Sequence, residues 1–377
     1  MGVRELTEAI DGLVASGPQM CGDAEAVVAL HGQLARLEGY VTAAVAALDA
    51  ARAWEAEGAQ SAAAWLSTRC GLPRAAARRR VRLGRELREL PACEAAWLDG
   101  EITAAQVAAI AGVRRPETEE ALARDEELLV DHARSLRFAA FSRAVAYWRQ
   151  LADADGVEDD AARCRRRRDL YLAETFGGTW LGKVTLDAIS GAIVAGELRR
   201  LERELFEAEW AQARERLGRE PTAADLDRTP GQRRADALVE MATRSRVAPA
   251  GGRRPAPLFS VLVGYETLRG RICELANGTV VAPGALVPWL DEAYVERAVF
   301  GLDGRVEVSA SARLFTGATR RALELRDREC THPCCDRPAE ECDVDHVIPF
   351  AYGGPTTQDN GRIRCGFHNR LGNPRGP

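Results

Sequence analysis

A chain of 377 residues is long enough for two or three domains. Its 46% apolar content supplies ample core, yet no apolar run approaches the length that crosses a bilayer, so no membrane partner is expected. The net charge of −5 gives no overall attraction to nucleic acid, but every basic residue except Lys183 is an arginine, the side chain best suited to bidentate phosphate contact.

The amino terminus, MGVRELTEAIDG, lacks the apolar core of a signal peptide, so a cytoplasmic location is expected. Residues 1–150 read as helix after helix. From Glu25 to Trp54, Val27, Leu30, Leu34, Leu37, Val41, Val45 and Leu48 recur at steps of three or four, the helical period. A second helix starts at Ser61. Cys70-Gly-Leu-Pro forms a turn, and Arg74 to Leu90 forms a third helix ended by Pro91. Eight arginines but one acidic residue, Glu86, lie between Arg69 and Arg88. Arg74, Arg78, Arg82 and Arg85 share one face of this helix, and Leu83, Leu87 and Leu90 line another. Helix, tight turn and basic helix within 61–112 suggest a helix-turn-helix contacting DNA, against the plainer reading of a solvated basic face. Further helices follow over Glu101–Val113 and Pro116–Tyr147.

Asp153 to Asp169 reads as a charged connector carrying Arg163 and Arg165 to Arg168. Leu170 to Val184 looks like a hairpin. Leu186 to Arg216 is a long helix rich in Glu–Arg pairs at i to i+4. After a loop over Gly218–Gly231 comes a helix, Gln232 to Arg246, so residues 151–247 continue the helical region. Ala248 to Pro257 reads as a linker opening a small α/β segment over 248–312. Strands are expected there at Leu258–Val263, Gly278–Val281 and Val306–Ser309, with a helix, Pro283–Arg297, between the last two. Leu314 to Arg328 is a helix feeding the final module, 313–377.

That module holds five of the ten cysteines and three of the five histidines. The other cysteines are scattered and read as reduced thiols. Two kinds of site interleave in the tail. Cys330, Cys335, Cys365 and His368 form a soft, paired-ligand set suited to a structural, tetrahedral zinc, with Cys334 and Cys342 as alternatives in the first pair. Asp345, His346, Asn360 and Asn369 form a hard set suited to magnesium and water activation. Val344 to Ile348 reads as a short strand, Gly353-Gly354-Pro355 breaks it, and Gly361 onward reads as a helix capped by Asn360. On that helix Cys365 and His368 share a face. So small a module needs its metal to fold firmly.

These residues resemble the HNH endonuclease module, the ββα-metal fold. Asp345-His346 matches its Asp-His pair, Asn360 its central Asn, and Asn369 stands at the final position in the His-Asn-Asn variant. The intervals, 14 residues from His346 to Asn360 and 9 to Asn369, also fit. The first knuckle departs from the pattern, spaced C-x4-C. The segment WLSTRCGLPRAAARRRVRLGRELRELP is loosely similar to the DNA-binding core of partition-type proteins. Together with the architecture, its ARRRVRLGRELRELP stretch is similar to bacterial HNH proteins carrying an N-terminal helical domain of unknown function, the "thirteen E twelve" repeat family. The resemblance implies a mainly α multi-domain protein with a small C-terminal zinc-stabilised ββα-metal module. It also implies a metal-dependent DNA endonuclease acting on double-stranded DNA and leaving 5′-phosphate and 3′-hydroxyl ends. Asp345 and Asn369 would hold magnesium and His346 would serve as general base. Arg362, Arg364 and Arg370 are candidate phosphate contacts, with surface solvation the competing reading. The alternative function is a catalytically silent, zinc-stabilised DNA-binding protein.

Overall fold

The structure, a computed structural model, describes residues 2–247, 258–263, 273–275, 278–286, 294–299, 315 and 317–372. The chain is mainly helical and divides into two compact units, Met1–Asp153 and Ala154–Pro377. Among the described residues no helix is long and apolar enough to cross a membrane.

The first unit is built from α1 (Val3–Ser16), α2 (Ala24–Ala50), α3 (Ala62–Arg69), α4 (Arg74–Leu87), α5 (Pro91–Leu98), α6 (Ala104–Gly112), α7 (Glu119–Ser135) and α8 (Phe138–Ala152). Side chains that satisfy the first free N–H groups start several of them. Asp23 accepts from Ala26 N–H, Ser61 accepts from Ala64 N–H, and Thr103 with Gln106 forms a capping box. The single helix expected over Pro116–Tyr147 is two. Leu136 is extended (φ −100°, ψ 147°), and the chain restarts as α8 with no glycine or proline to mark the break. Pro91 does more than end α4: it opens α5 at the first helical position, where its missing N–H costs nothing.

The basic helix α4 buries Ala77, Val81, Gly84 and Leu87, at steps of four, three and three. Gly84 lets it lie close to α2. A Cβ at position 84 would stand 3.0 Å from the Thr42 carbonyl oxygen and 3.1 Å from Ala46 Cβ. One cluster beneath α3 and α4 comprises Val45, Ala62, Leu66, Ala77 and Val81. A larger one is centred on Trp97, Ile102, Ile110, Leu122, Leu129 and Phe141.

The connector expected over Asp153–Asp169 is a helix, α9 (Ala154–Arg166), in which charged residues three apart pair, as Asp160 does with Arg163 at 2.5 Å. The expected hairpin is present as β1 (Asp169–Glu174) antiparallel to β2 (Trp180–Thr185). Next come α10 (Ala188–Leu217), capped by Asp187 and ended by Gly218 in the left-handed region, and α11 (Pro230–Val247). These two helices are joined through a buried carboxylate. Glu209 accepts from Arg228 N–H at 2.8 Å and from Arg233 Nη1 at 3.1 Å.

The α/β segment contains β3 (Leu258–Val263), β4 (Cys273–Glu274), β5 (Val280–Val281), α12 (Pro283–Leu286) and β6 (Tyr294–Val299). β4 and β5 are antiparallel, whereas β3 and β6 pair in parallel. The helix expected over Pro283–Arg297 is therefore confined to α12 within the described residues, and Tyr294 to Arg297 belong to a strand. The expected linker 248–257 and the strand expected at 306–309 lie outside the described residues. Helix α13 (Gly317–Asp327) leads into the tail, where β7 (Cys342–His346) pairs with β8 (Gly361–Cys365) and α14 (Gly366–Gly372) follows.

Candidate functional site

The tail is organised by a two-stranded antiparallel ribbon. Cys342 pairs with Cys365, Val344 with Ile363 and His346 with Gly361; Asp343 pairs with Arg364 and Asp345 with Arg362. Side chains alternate along a strand, so the first three pairs form one face and the last two the other. Burial follows this rule: Gly361, Ile363 and Cys365 are buried, and Arg362 and Arg364 are half-buried between them. The buried face packs with Phe315, Leu323, Cys330 and Ala339. This corrects the expected helix from Gly361. The alternation in Gly-Arg-Ile-Arg-Cys is a strand signature, and α14 starts only at Gly366.

The ribbon end at Cys365 carries the soft set. The chain turns at Cys334 in a left-handed conformation (φ 63°) and brings Cys335 back towards β8. Thr331 N–H donates to the Ile363 carbonyl at 2.9 Å and holds this loop on the ribbon. Cys330, Cys335 and Cys365 Sγ and one His368 ring nitrogen then all lie within 4.8 Å of one another, so the group could hold a metal ion. The edges fit a tetrahedron. Cys335 Sγ and Cys365 Sγ are 3.9 Å apart, and His368 Nδ1 lies 3.5 Å from Cys330 Sγ and 3.2 Å from Cys365 Sγ. Ordinary zinc–ligand bond lengths give edges of about 3.8 Å between sulfurs and roughly 3.6 Å from sulfur to nitrogen. Cys365 and His368 meet as the end of a strand and the first turn of a helix, not as neighbours on one helical face.

The chemistry of these groups favours metal binding. Burial opposes ionisation of Cys330, but N–H donors, Cys365 N–H foremost, outweigh it and lower its pKa. Desolvation, then the neighbouring His332 and Arg364, lower the pKa of His368, which favours the neutral imidazole a metal needs. His332 stacks on His368 with ring centroids 3.8 Å apart and planes within 3°. Sequence reasoning missed this residue, and its place beside Cys330 was the available signal. Of the alternative cysteines, Cys334 is exposed, while Cys342 is buried with its thiol donating to the Pro338 carbonyl at 3.2 Å. Burial pushes the Cys342 pKa up to about 12.

The opposite ribbon end carries part of the hard set. His346 Nε2 lies 3.1 Å from Thr356 Oγ1, and its ring packs 4.4 Å from Phe315 and 5.8 Å from Phe350, centroid to centroid. Asn360 is 6% exposed and locks the returning loop. Its Oδ1 accepts from Ile348 N–H at 2.8 Å, and its Nδ2 donates to the carbonyls of Ile348 at 3.0 Å and Pro355 at 2.8 Å. Gly354 closes this loop so tightly that a Cβ there would lie 1.8 Å from the Ile348 carbonyl oxygen. Asn360 is therefore a loop clamp and not a helix cap. Asp345 lies on the other ribbon face from His346 and is taken by its cross-strand partner, with Arg362 Nη2 and Nε at 2.8 and 3.1 Å from Oδ2. Asn369 follows His368 on α14, half-buried. The structure thus assembles the four soft ligands, holds His346 and Asn360 around one loop, and sets Asp345 across the ribbon from them.

The candidate DNA-contacting arginines divide similarly. Arg74, Arg78 and Arg82 are exposed and have no ion-pair partner among the described residues. Arg85 is held by Asp49 through Nε at 2.7 Å and Nη2 at 3.2 Å, which raises the Arg85 pKa and lowers that of Asp49. Arg362 is committed to Asp345, Arg364 stands opposite Asp343, and the side chain of Arg370 lies outside the described residues.

Similarity to known proteins covers most of the chain. "Uncharacterized protein MT1160" of Mycobacterium tuberculosis (strain CDC 1551 / Oshkosh) is 26% identical over 273 residues, 66% of this chain and 61% of that protein. "Uncharacterized protein Rv1128c" of M. tuberculosis (strain ATCC 25618 / H37Rv) is 26% identical over 273 residues, with 57% of its length covered. "Uncharacterized protein Rv3776" of the same strain is 41% identical over 49 residues, 13% of this chain and 9% of that protein. The chain spans less than two thirds of the length of each of these relatives. No solved structure matches it. The family profile described as "Domain of unknown function (DUF222)" matches residues 24–328 and ends just before Cys330. On this match, which spans far more than half its length, the chain belongs to the DUF222 family.

Proposed function

We propose that this protein is a metal-dependent DNA endonuclease of the HNH type, with a zinc-stabilised tail as its catalytic module. The observation that carries this reading is the environment of His346. The imidazole stands at a ribbon end, oriented by Thr356 at Nε2 and by Phe315, above a loop that Asn360 fixes through three hydrogen bonds. Such fixing is what a general base requires and a merely buried histidine does not. In this reading the His346 imidazole takes the proton from the attacking water. Cys330, Cys335, Cys365 and His368 would hold a structural zinc at the other end.

The hard site suits magnesium in its donor chemistry. Both Arg362 bonds fall on Oδ2 of Asp345, leaving Oδ1 as a cation ligand, and Asn369 supplies an amide oxygen. When bound, magnesium stabilises the charge that develops on the phosphate and the departing 3′ oxygen. Arg362 moderates the charge of Asp345, and Arg364 is a phosphate contact from the same ribbon face. Arg74, Arg78 and Arg82 supply affinity for double-stranded DNA. Hydrolysis in this arrangement leaves 5′-phosphate and 3′-hydroxyl ends.

A second reading, a silent zinc-stabilised DNA-binding protein, is favoured by one observation: Asp345 and His346 leave opposite faces of the ribbon, and Arg362 occupies Asp345. Incubating the intact protein with supercoiled plasmid and Mg²⁺ separates the two. Nicked or linear product that chelator suppresses supports the endonuclease; DNA retention without cleavage supports the silent binder.

A further inference from the structure

A cavity of about 510 Å³ opens in the first unit between α2, α4 and α6. Its polar wall is made by Arg79, Arg80 and Arg82 of α4 and Arg115 beyond α6, opposed by Glu38 and Glu86. Four guanidinium groups against two carboxylates leave a formal charge of +2. Glu86 is already engaged by Arg114 Nη1 at 3.1 Å, which weakens its opposition further. Arg79, Arg80 and Arg82 have no ion-pair partner among the described residues, on a helix whose Arg85 has one. The floor is apolar, from Leu83, Ala76 and Ala108, with Trp97 buried at its edge. Trp97 is 1% exposed, and its Nε1–H is buried without a hydrogen-bond partner.

We propose that this cavity is a binding site for a phosphate-bearing nucleotide, with the phosphate on Arg79, Arg82 and Arg115 and the base over the apolar floor. A planar, fork-shaped donor set matches phosphate oxygens bidentately, an apolar floor of Leu83, Ala76 and Ala108 suits a nucleobase, and the volume is adequate for a mononucleotide. The site lies in the first unit, shares only Arg82 with the DNA contacts proposed above, and does not depend on the chemistry proposed for the tail. The nucleotide is either free or one unit of a nucleic-acid strand, since both present the same phosphate and base.

The test compares two double variants of equal charge change in the full-length protein. Arg79→Gln/Arg82→Gln alters the cavity, and Arg4→Gln/Arg69→Gln alters two exposed arginines of the same unit that do not line it. All four side chains are half-buried or exposed, so both variants should fold, as circular dichroism would verify. Titration calorimetry uses inorganic phosphate, deoxyadenosine monophosphate and a short single-stranded oligonucleotide. The expected result is a loss of mononucleotide affinity of about tenfold or more for the cavity variant, as removal of charge-assisted contacts implies, and less than about twofold for the control. Inorganic phosphate should bind more weakly than the mononucleotide but lose affinity in the same variant. A mononucleotide bound as tightly as the oligonucleotide identifies a free nucleotide; a much tighter oligonucleotide, still sensitive to the cavity variant, identifies a strand. Equal losses in both variants, or no mononucleotide binding to the wild-type protein, would overturn the proposal.

Discussion

Replacing Asn360 by alanine removes three hydrogen bonds at once and leaves the Ile348 N–H and the carbonyls of Ile348 and Pro355 without their partner. A hydrogen bond contributes about 1 kcal/mol net, more when the stranded group stays buried, and Asn360 is only 6% exposed. The expected cost is therefore about 3 kcal/mol, which corresponds to roughly a hundredfold increase in local opening. Hydrogen exchange at Ile348 N–H reads this directly, because its protection reports opening of the loop and not unfolding of the chain. Asn360→Asp provides the comparison: it keeps an acceptor for Ile348 N–H but turns a carboxylate oxygen towards two carbonyls, and should cost at least as much. Unchanged protection of Ile348 in the alanine variant would refute the view that Asn360 is the clamp on which the orientation of the loop depends.

Three further outcomes are expected. Metal analysis should find one zinc per chain in the wild-type protein and in Cys334→Ser, and loss of that zinc in Cys365→Ser; full zinc in Cys365→Ser would exclude the assigned ligand set. Glu209→Ala should destabilise the second unit by about 3 kcal/mol, at the low end for breaking a buried pair, because Arg233 keeps the Arg228 carbonyl at 2.6 Å and the Phe206 ring. Burial alone would raise the Glu209 pKa, but the Arg228 N–H and Arg233 bonds lower it overall; its contribution is thus present above the unfolded value, about 4.3, and fades as pH falls through the folded one. Urea melts from pH 7 downwards should show this acid-side loss in the wild type and not in Glu209→Gln. Gly84→Ala should lower the melting temperature of the first unit, since overpacking against Thr42 and Ala46 costs about 1–3 kcal/mol and exceeds the helix propensity gained, about 1 kcal/mol; a raised melting temperature would show that α4 can shift off α2.

The sequence was most legible where one pattern repeated over many residues. The long apolar period of α2, the Glu–Arg pairs of α10 and the paired cysteine and histidine ligands all led to the element or cluster observed. It was least legible where elements are short or lack a boundary residue. Leu136 breaks a helix without glycine or proline, so no residue type at the break announces it. The residues of α9 look like a linker by composition, but charges three apart support a helix as readily as they solvate a loop. Gly361 to Cys365 offered only five residues, and Asn360 beside them has the chemistry of a helix cap. Its side chain is instead consumed by Ile348 and Pro355, which only the loop's return path reveals. Arg85 and Arg362 read as free cations because Asp49 and Asp345 lie 36 and 17 residues away in the chain.

The most direct measurement of the central claim is plasmid cleavage by His346→Ala in zinc-replete protein. His346 lies at the end of β7 beside the clamped loop and is not in the zinc set, so fold, zinc content and DNA binding should match the wild type. Cleavage in Mg²⁺ should fall by about 10²–10⁴-fold, the usual worth of a general base, and added Mg²⁺ should not restore it, whereas Asp345→Ala should be partly rescued. Wild-type cleavage rates in His346→Ala would contradict the assignment of the chemistry to this residue.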